Sequence, residues 1–160
     1  MIDDLEVKEL TERMDAVRFP PAFFLKDDAA VIYSDHLVLE VPKELIGTKK
    51  KWPGEKYGIP DMIRQWRYEL LPEGEGEPAQ PVIETWHTED GEEFTVIGLI
   101  SESVTSHMQQ YLYDFITRHL EGTTFRLYKP KRGDKKPSQI GVYVENRPVG
   151  VVAPMRKNKT

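Results

Sequence analysis

Alternating apolar and polar residues predict the elements of the chain most clearly between Glu93 and Arg156. In this unit, alternation at every second position predicts four strands, at Phe94–Ile100, Thr124–Lys129, Gln139–Glu145 and Val149–Ala153. Between the first two strands, apolar residues recur at helical spacing over Val104–Leu120, with a stripe that includes Met108, Leu112 and Phe115. Ser101 or Ser103 would cap this helix, and Gly122 would end it in a left-handed turn. The unit therefore predicts that this helical stripe packs against Phe125, Leu127, Val142 and Val151 of the antiparallel strands.

Before residue 93, the pattern predicts two more helices and four more strands. The helices run from Asp3 or Asp4 to about Ala16 and from Pro60 to Leu71. The strands lie at Ala22–Leu25, Ala30–Ser34, Leu37–Val41 and Pro81–His87. The last of these forms a hairpin with the strand after it, because Glu89-Asp90-Gly91 is a strong turn signal. The acidic stretch Glu73–Pro78 predicts a mobile loop, and residues 157–160 predict a disordered tail.

Length and composition predict a single α+β domain over residues 1–160, with two or three helices packed on an antiparallel sheet. The chain has 160 residues, close to the usual size of one domain. Hydrophobic residues make up 39% and charged residues 31%, which is typical of a soluble protein. The absence of cysteine excludes disulfides and cysteine nucleophiles and fits a cytoplasmic location. No apolar run is long enough to span a bilayer, so we expect no membrane contact.

The histidines are the first candidates for chemistry, and each has an ordinary structural interpretation. His87 lies near Glu89 and Asp90, but at a predicted turn where polar residues are common, and no second group of ligands accompanies it. The other three are a core residue of the predicted helix, a helix-surface residue that shares a face with Asp114, and a turn residue: His119, His107 and His36. We therefore predict no metal site.

Motifs of catalysis or cofactor binding are absent from the sequence. There is no Gly-x-Ser-x-Gly turn for a nucleophile, and Gly74 and Gly76 are flanked by glutamates that would repel a phosphate. These absences favour a non-catalytic protein without a cofactor. A small enzyme that uses the turn at His87, Glu89 and Asp90, or a site not recognisable in the sequence, stays open as an alternative.

The basic residues are concentrated in two loops, although the net charge is −5. The candidates for contact with nucleic acid are Lys49, Lys50, Lys51, Trp52 and Lys56 in the first loop and Lys131, Arg132, Lys135 and Lys136 in the second. Lysines neutralise phosphates, and an aromatic ring can stack on an unpaired base. The alternative is that both loops are solvated and that their lysines protect strand edges from aggregation.

Two short motifs within residues 93–156 resemble the last part of the bacterial sliding clamp, the processivity subunit of the replicative polymerase. Tyr111-Leu112-Tyr113-Asp114-Phe115-Ile116 is similar to that family's Y-L-x-D-x-L helix, and Val151-Val152-Ala153-Pro154-Met155-Arg156 is similar to its terminal V-M-P-M-R. A clamp subunit has three such domains, whereas this chain has the length of one. The resemblance implies a clamp-like domain in the C-terminal half that works on or near DNA.

Together these patterns predict a binding or accessory protein rather than an enzyme. Its partners would be single-stranded nucleic acid or a protein of DNA metabolism, contacted through the lysine-rich loops. A protein-interaction module without a nucleic-acid role is the alternative, and self-association into a homo-oligomer is left open.

Overall fold

The structure, a computed structural model, describes residues 22–26, 29–33, 36–42, 50–51, 64, 66, 76–129 and 137–156. Its strands are β1 (Ala22–Lys26), β2 (Ala29–Tyr33), β3 (Leu37–Val41), β4 (Lys50–Lys51), β5 (Glu77–His87), β6 (Glu93–Ile100), β7 (Thr105–Gln109), β8 (Thr123–Tyr128), β9 (Gln139–Val144) and β10 (Arg147–Val152). Helix α1 (Gln110–His119) connects β7 to β8. All eight strands predicted from the sequence are confirmed, to within a few residues at each end.

The strands are ordered β4-β1-β2-β3-β10-β9-β8-β5-β6-β7. Neighbours are antiparallel throughout, except that β4 runs parallel to β1. The pairing of β3 with β10, which places Leu39 opposite Gly150, joins the first strands of the chain to the last. The predicted antiparallel sheet is thus confirmed.

Strand β5 belongs to two sheets. Its first part, Glu77–Ala79, pairs with β8, and its second part, Gln80–His87, pairs with β6. Each part carries a ladder on one side only, which accommodates Pro78 and Pro81, because proline cannot donate a ladder hydrogen bond. The predicted loop Glu73–Pro78 is wrong in its last two residues, since β5 begins at Glu77.

The outer edge of β7 contacts the segments that directly precede β9 and follow β10. The Ser106 hydroxyl donates to the carbonyl of Ser138 at 2.8 Å, and the amide of Met155 donates to the carbonyl of His107 at 2.8 Å. Ser138 directly precedes β9, and Met155 follows β10. Strands β5 to β10 therefore form a partly closed barrel, whose β7 edge is covered at these two points.

One hydrophobic core joins α1 to both sheets. It includes Leu112, Phe115 and Ile116 of the helix, Ile97 and Leu99 of β6, Met108 of β7, Phe125 and Leu127 of β8, Ile140 and Val142 of β9, and Leu37, Leu39 and Val41 of β3. Burial of each such side chain stabilises the fold by about 1.5–3 kcal/mol. The predicted packing of Met108, Leu112 and Phe115 against Phe125, Leu127 and Val142 is confirmed.

The helix predicted over Val104–Leu120 is wrong in its first part, because Thr105–Gln109 is strand β7 and α1 begins at Gln110. Ser106 and Met108 are buried while Thr105 is exposed, which is the alternation of a strand. Met108 also lies four residues before Leu112, so it fits a helical stripe and a strand face equally well. Ser101 and Ser103 do not cap the helix but lie in the turn between β6 and β7.

Strand β10 contains an irregularity that changes which valines face the core. Its register with β9 shifts between Pro148 and Gly150. Val149 and Val152 consequently belong to the core cluster, whereas Val151 is buried outside it, opposite Val38 of β3. The prediction that Val151 contacts the helix core is therefore wrong, because the shift reverses the alternation.

The turns predicted at Gly91 and Gly122 are confirmed. Gly91 has φ +85° in the β5–β6 turn, and Gly122 has φ +74° in the turn after α1. Between β9 and β10, Glu145 and Asn146 adopt φ values of 51° and 64°. A turn with two consecutive positive φ values matches the twist of antiparallel strands, and Asn tolerates this conformation.

The α+β class is confirmed, but the described residues contain one helix with defined bounds, fewer than predicted. The helices predicted to end at Ala16 and Leu71 lie outside these residues, apart from Arg64 and the buried Trp66, whose backbones are helical. The tail at 157–160 is also outside them, and a single domain over 1–160 stays a prediction. No helix in the described ranges combines the length and hydrophobicity of a membrane span.

Candidate partner-binding face

The lysine-rich loops lie almost wholly outside the residues that the structure describes. Lys50 and Lys51 form β4, opposite Phe24 and Leu25 of β1. The remaining candidates are outside the described ranges: Lys49, Trp52, Lys56, Lys131, Arg132, Lys135 and Lys136. Contact of these residues with nucleic acid therefore stays a prediction.

The histidines proposed for the predicted turns and helix lie in varied surroundings. His87 ends β5, where its Nε2 lies 3.4 Å from Oε1 of Glu93, and both side chains are largely exposed. His119 is partly buried, with its ring 4.9 Å from that of Phe115. The carbonyl of His36 accepts a hydrogen bond from Ala153. Among the described residues, no group of three or more metal-ligating side chains comes together.

The register of β5, β6 and β7 defines a face on the side opposite the core, which we call the outer face. Cross-strand partners lie on the same side of a sheet. Opposite the core residues Ile97, Leu99 and Met108, the outer face comprises Val82, Glu84 and Trp86 of β5, Phe94, Val96, Gly98 and Ile100 of β6, and Thr105, His107 and Gln109 of β7.

A hydrogen bond crosses the centre of the outer face. Nε2 of His107 donates to Oε2 of Glu84 at 2.9 Å, from β7 to β5, over Gly98 of the strand between them. A Cβ atom at Gly98 would lie 1.9 Å from the same Glu84 oxygen. Gly98 is therefore required for this geometry. The helix-face pairing predicted for His107 and Asp114 is wrong, because His107 lies in β7.

Aromatic rings surround this hydrogen bond. The ring of Trp86 lies 4.7 Å from that of His107, and the ring of Phe94 meets Trp86 edge-on at 6.3 Å. Trp86 is 7% exposed and forms the floor, whereas Val82, Phe94 and Ile100 are 38%, 36% and 46% exposed. Val82, Phe94 and Ile100 thus reach solvent on the same face as the buried ring of Trp86.

A cavity of about 340 Å³ opens at the Phe94 end of the outer face. It lies between the β6–β7 strands and the start of α1, and its lining consists of Phe94, Thr95, Val96, Gln109, Gln110, Tyr111, Asp114 and Met155. Asp114 is the one acidic residue among the described residues of this lining.

The segment that builds the outer face is acidic throughout. Between Glu77 and Gln109 the sequence contains no lysine or arginine, and its carboxylates are Glu77, Glu84, Glu89, Asp90, Glu92, Glu93 and Glu102. The charges of this segment therefore favour cations over phosphates.

The outward side of β8 and β9, which we call the β8–β9 face, has different chemistry. The guanidinium of Arg126 lies 5.0 Å from the centre of the Tyr143 ring, and Tyr143 and Tyr128 share a hydrogen bond between their hydroxyls. Burial, followed by this hydrogen bond, raises the pKa of Tyr128. Tyr143 is 2% exposed, so its ring offers no surface for stacking on a ligand.

Glu77 connects the two parts of the barrel where β5 changes sheets. Its carboxylate accepts hydrogen bonds from the Ser101 hydroxyl at 2.8 Å and from the Ser103 amide and hydroxyl at 3.0 and 2.5 Å, and Lys129 lies 3.2 Å away. The bonds from Ser103, followed by those from Ser101 and Lys129, lower the pKa of Glu77 to about 2. Ser101 and Ser103, predicted as helix caps, thus hold β5 instead.

In comparisons with known proteins, no protein-family model, no curated protein and no solved structure matched the chain. The motif that resembles the sliding clamp lies in α1, where Leu112, Phe115 and Ile116 are buried, and the second motif starts in β10. The resemblance itself stays a prediction.

The residues of the outer face were not among the sites predicted from the sequence. A usable signal was present, because the Asp-Gly turn sets the register of β5 and β6 and thereby places Trp86 opposite Phe94. His107 required the correct assignment of β7, which helical spacing obscured.

Proposed function

We propose that this chain is a non-catalytic binding protein whose outer face binds a basic, partly apolar segment of a protein partner. The observation that carries the proposal is the group of exposed apolar side chains, Val82, Phe94 and Ile100, around the aromatic floor of Trp86 in an acidic segment. Contiguous exposed apolar surface on a folded protein is typical of an interaction site.

The arrangement of side chains supports binding rather than catalysis. His107 and Glu84 are hydrogen-bonded to each other, and in the described part of the chain no hydroxyl group is bonded to the imidazole. A nucleophile activated by His107 would need such a hydroxyl within hydrogen-bond distance. Their hydrogen bond links β5 to β7 across β6 and thereby makes the face rigid.

Charge favours a protein over a nucleic acid as the partner of this face. Proteins that stack unpaired bases on aromatic rings combine those rings with a positively charged groove. The outer face has aromatic rings, and the segment that forms it contains seven carboxylates and no lysine or arginine, with Glu84 on the face itself. Phosphates would be repelled there, whereas lysine and arginine of a partner protein would be attracted. That the partner belongs to DNA metabolism is what the clamp resemblance implies.

A peptide-display selection tests the proposal. We expect immobilised protein to enrich random twelve-residue peptides that contain lysine or arginine next to apolar residues. Ile100→Ser and Phe94→Ser should each weaken a selected peptide about tenfold or more, because burial of such side chains dominates interface energies. The matched control is Ile83→Ser, since Ile83 is 76% exposed on the opposite side of β5. Equal binding to the control and to both variants would contradict the proposal.

A single-stranded oligonucleotide in the same titration distinguishes the nucleic-acid alternative. Binding that Phe94→Ser abolishes would assign base stacking to the outer face and overturn the protein partner. Binding that survives Phe94→Ser and is lost in Lys50→Glu with Lys51→Glu would place nucleic acid at the lysine-rich loops. Such binding should weaken steeply with salt.

A further inference from the structure

The cavity at the end of the outer face has the size and chemistry of a site for one side chain. Its volume of about 340 Å³ lies at the lower end of the range for ligand pockets. Its walls combine the apolar side chains of Phe94, Val96 and Met155 with the amide group of Gln109. A ligand that fits this lining has an apolar stem and a polar end.

The charge of that polar end follows from Asp114. This residue is exposed in the second turn of α1 and lines the cavity, and its carboxylate has no ion pair within the part of the chain that the structure describes. Among the described residues of the lining none is basic, and Arg156, which follows Met155, is exposed and outside it. The cavity therefore offers a carboxylate that suits a positively charged ligand.

We propose that the cavity binds an arginine side chain of the partner protein, with its guanidinium on Asp114 and its stem between Phe94 and Met155. This inference rests on the proposed function, because the cavity continues the outer face at Phe94. Arginine fits better than lysine for two reasons. Its planar guanidinium binds a carboxylate through two parallel hydrogen bonds, and it stacks on aromatic rings such as those of Phe94 and Tyr111.

The amide groups in the lining fit the same ligand. Gln109 precedes α1 and Gln110 is its first residue, so both lie at the cavity wall beside the helix. Their side-chain oxygens are acceptors for the guanidinium N–H groups that do not contact Asp114, since a guanidinium carries five donors. A neutral ligand of the same shape would leave the carboxylate without a charged partner.

The test uses small probes and nuclear magnetic resonance. We expect N-acetyl-arginine N-methylamide to shift the amide signals of Gln110 and Asp114 in a saturable titration. The citrulline analogue has the same shape without the charge and should bind about tenfold more weakly or worse. The lysine analogue should lie between them. No saturable shift with the arginine probe, or equal binding of the citrulline probe, would overturn the proposal.

Variants assign the effect to the cavity and separate it from the proposed function. Asp114→Asn keeps the shape of the side chain and should abolish the preference for arginine over citrulline. Glu121→Gln removes one exposed carboxylate beyond the end of α1 and should leave that preference unchanged. Asp114→Asn that retains the preference would overturn the proposal.

Ile100→Ser distinguishes failure of the inference from failure of the proposed function. Ile100 lies on the outer face but does not line the cavity. The variant should bind the arginine probe normally while weakening the displayed peptides. Peptides that depend on Ile100 but not on Asp114 would overturn the arginine site and leave the partner-binding face in place.

Discussion

Gly98 and Gly141 lie in equivalent situations on two faces of the barrel, and the faces differ in what they leave open. Gly98 lies beneath the hydrogen bond between Glu84 and His107, and Gly141 lies beneath the Tyr128–Tyr143 contact. Gly98 lets Glu84 of β5 and His107 of β7 meet across β6, whereas Gly141 leaves room for Tyr128 of β8 to reach Tyr143, two residues further along β9. On both faces a missing Cβ thus allows a polar contact to form.

The faces differ in the apolar surface around these contacts. On the β8–β9 face, Arg126 covers the ring of Tyr143, which is 2% exposed. On the outer face, Phe94 and Ile100 remain 36% and 46% exposed beside the fixed pair. On the β8–β9 face, the contact between Tyr128 and Tyr143 is partly buried and structural. On the outer face, the contact between Glu84 and His107 lies beside apolar side chains that are exposed to solvent. This difference, rather than the polar residues themselves, locates the candidate site.

Both faces rest on the same hydrophobic core, and truncation of a core side chain should have the largest effect on stability. Leu112→Ala should lower the free energy of unfolding by about 2–5 kcal/mol, because Leu112 is 1% exposed and contacts the shared cluster. Urea denaturation measures this change. A loss below about 0.5 kcal/mol, the usual range of surface substitutions, would mean that α1 does not join the two faces through one core.

Gly141→Ala should destabilise the protein by about 1–3 kcal/mol, the usual cost of overpacking a filled site. The new Cβ would lie 2.7 Å from Cε2 of Tyr128 and 3.1 Å from Cε1 of Tyr143, and both rings are held by their shared hydrogen bond. Urea denaturation compared with Gly91→Ala gives a control, since a Cβ at Gly91 meets nothing within 4 Å and tests backbone strain alone. Gly141→Ala should also change the aromatic circular dichroism, which Gly91→Ala should not.

Gly98→Ala should be less destabilising than Gly141→Ala, with a change below about 1 kcal/mol, because the obstructing atom ends a flexible side chain. Glu84, which is 35% exposed at its side chain, can turn toward solvent and abandon His107. Loss of the hydrogen bond between Glu84 and His107 should change the nitrogen chemical shifts of the His107 imidazole. In a Glu84→Ala background, Gly98→Ala should have little further effect, and additive free energies of unfolding would contradict the contact.

Glu77 should give the smallest effect, because its side chain is 25% exposed and its interactions are partly screened. Hydrogen bonds lower its pKa from 4.5 to about 2, so the folded state holds this proton less tightly than the unfolded state. The associated stability is present above pH 4.5 and is lost as the pH falls toward 2. Glu77→Gln should flatten this part of the melting-temperature profile, whereas Glu102→Gln, in the β6–β7 turn that contacts Glu77, should not.

The strands were predictable from the sequence because their alternation is local. Ile140 and Val142, for example, identify β9 and its buried side without any knowledge of its neighbours. The Asp-Gly turn likewise predicted the β5–β6 hairpin. Local pattern failed at β7, where Met108 satisfies both a strand and a helix, and only the ladder with β6 decides between them.

The candidate site was less predictable than the strands. The hydrogen bond between Glu84 and His107 depends on three strands in register and on a glycine between them, which no single segment encodes. The lysines are concentrated in two loops, and the segment from Glu77 to Gln109 has no lysine or arginine at all. An absence of one charge over a whole hairpin is as informative as its concentration in a loop.

The pairing of β3 with β10 has a consequence for the order of events during synthesis. Leu37–Val41 leaves the ribosome well before Arg147–Val152, the segment that completes its ladder. Until then β3 has an unpaired edge that is rich in apolar residues, and such exposed edges promote aggregation with other chains. We expect the nascent protein to need shielding of this edge until its last strand emerges, and a chain that stops before Arg147 to aggregate through β3.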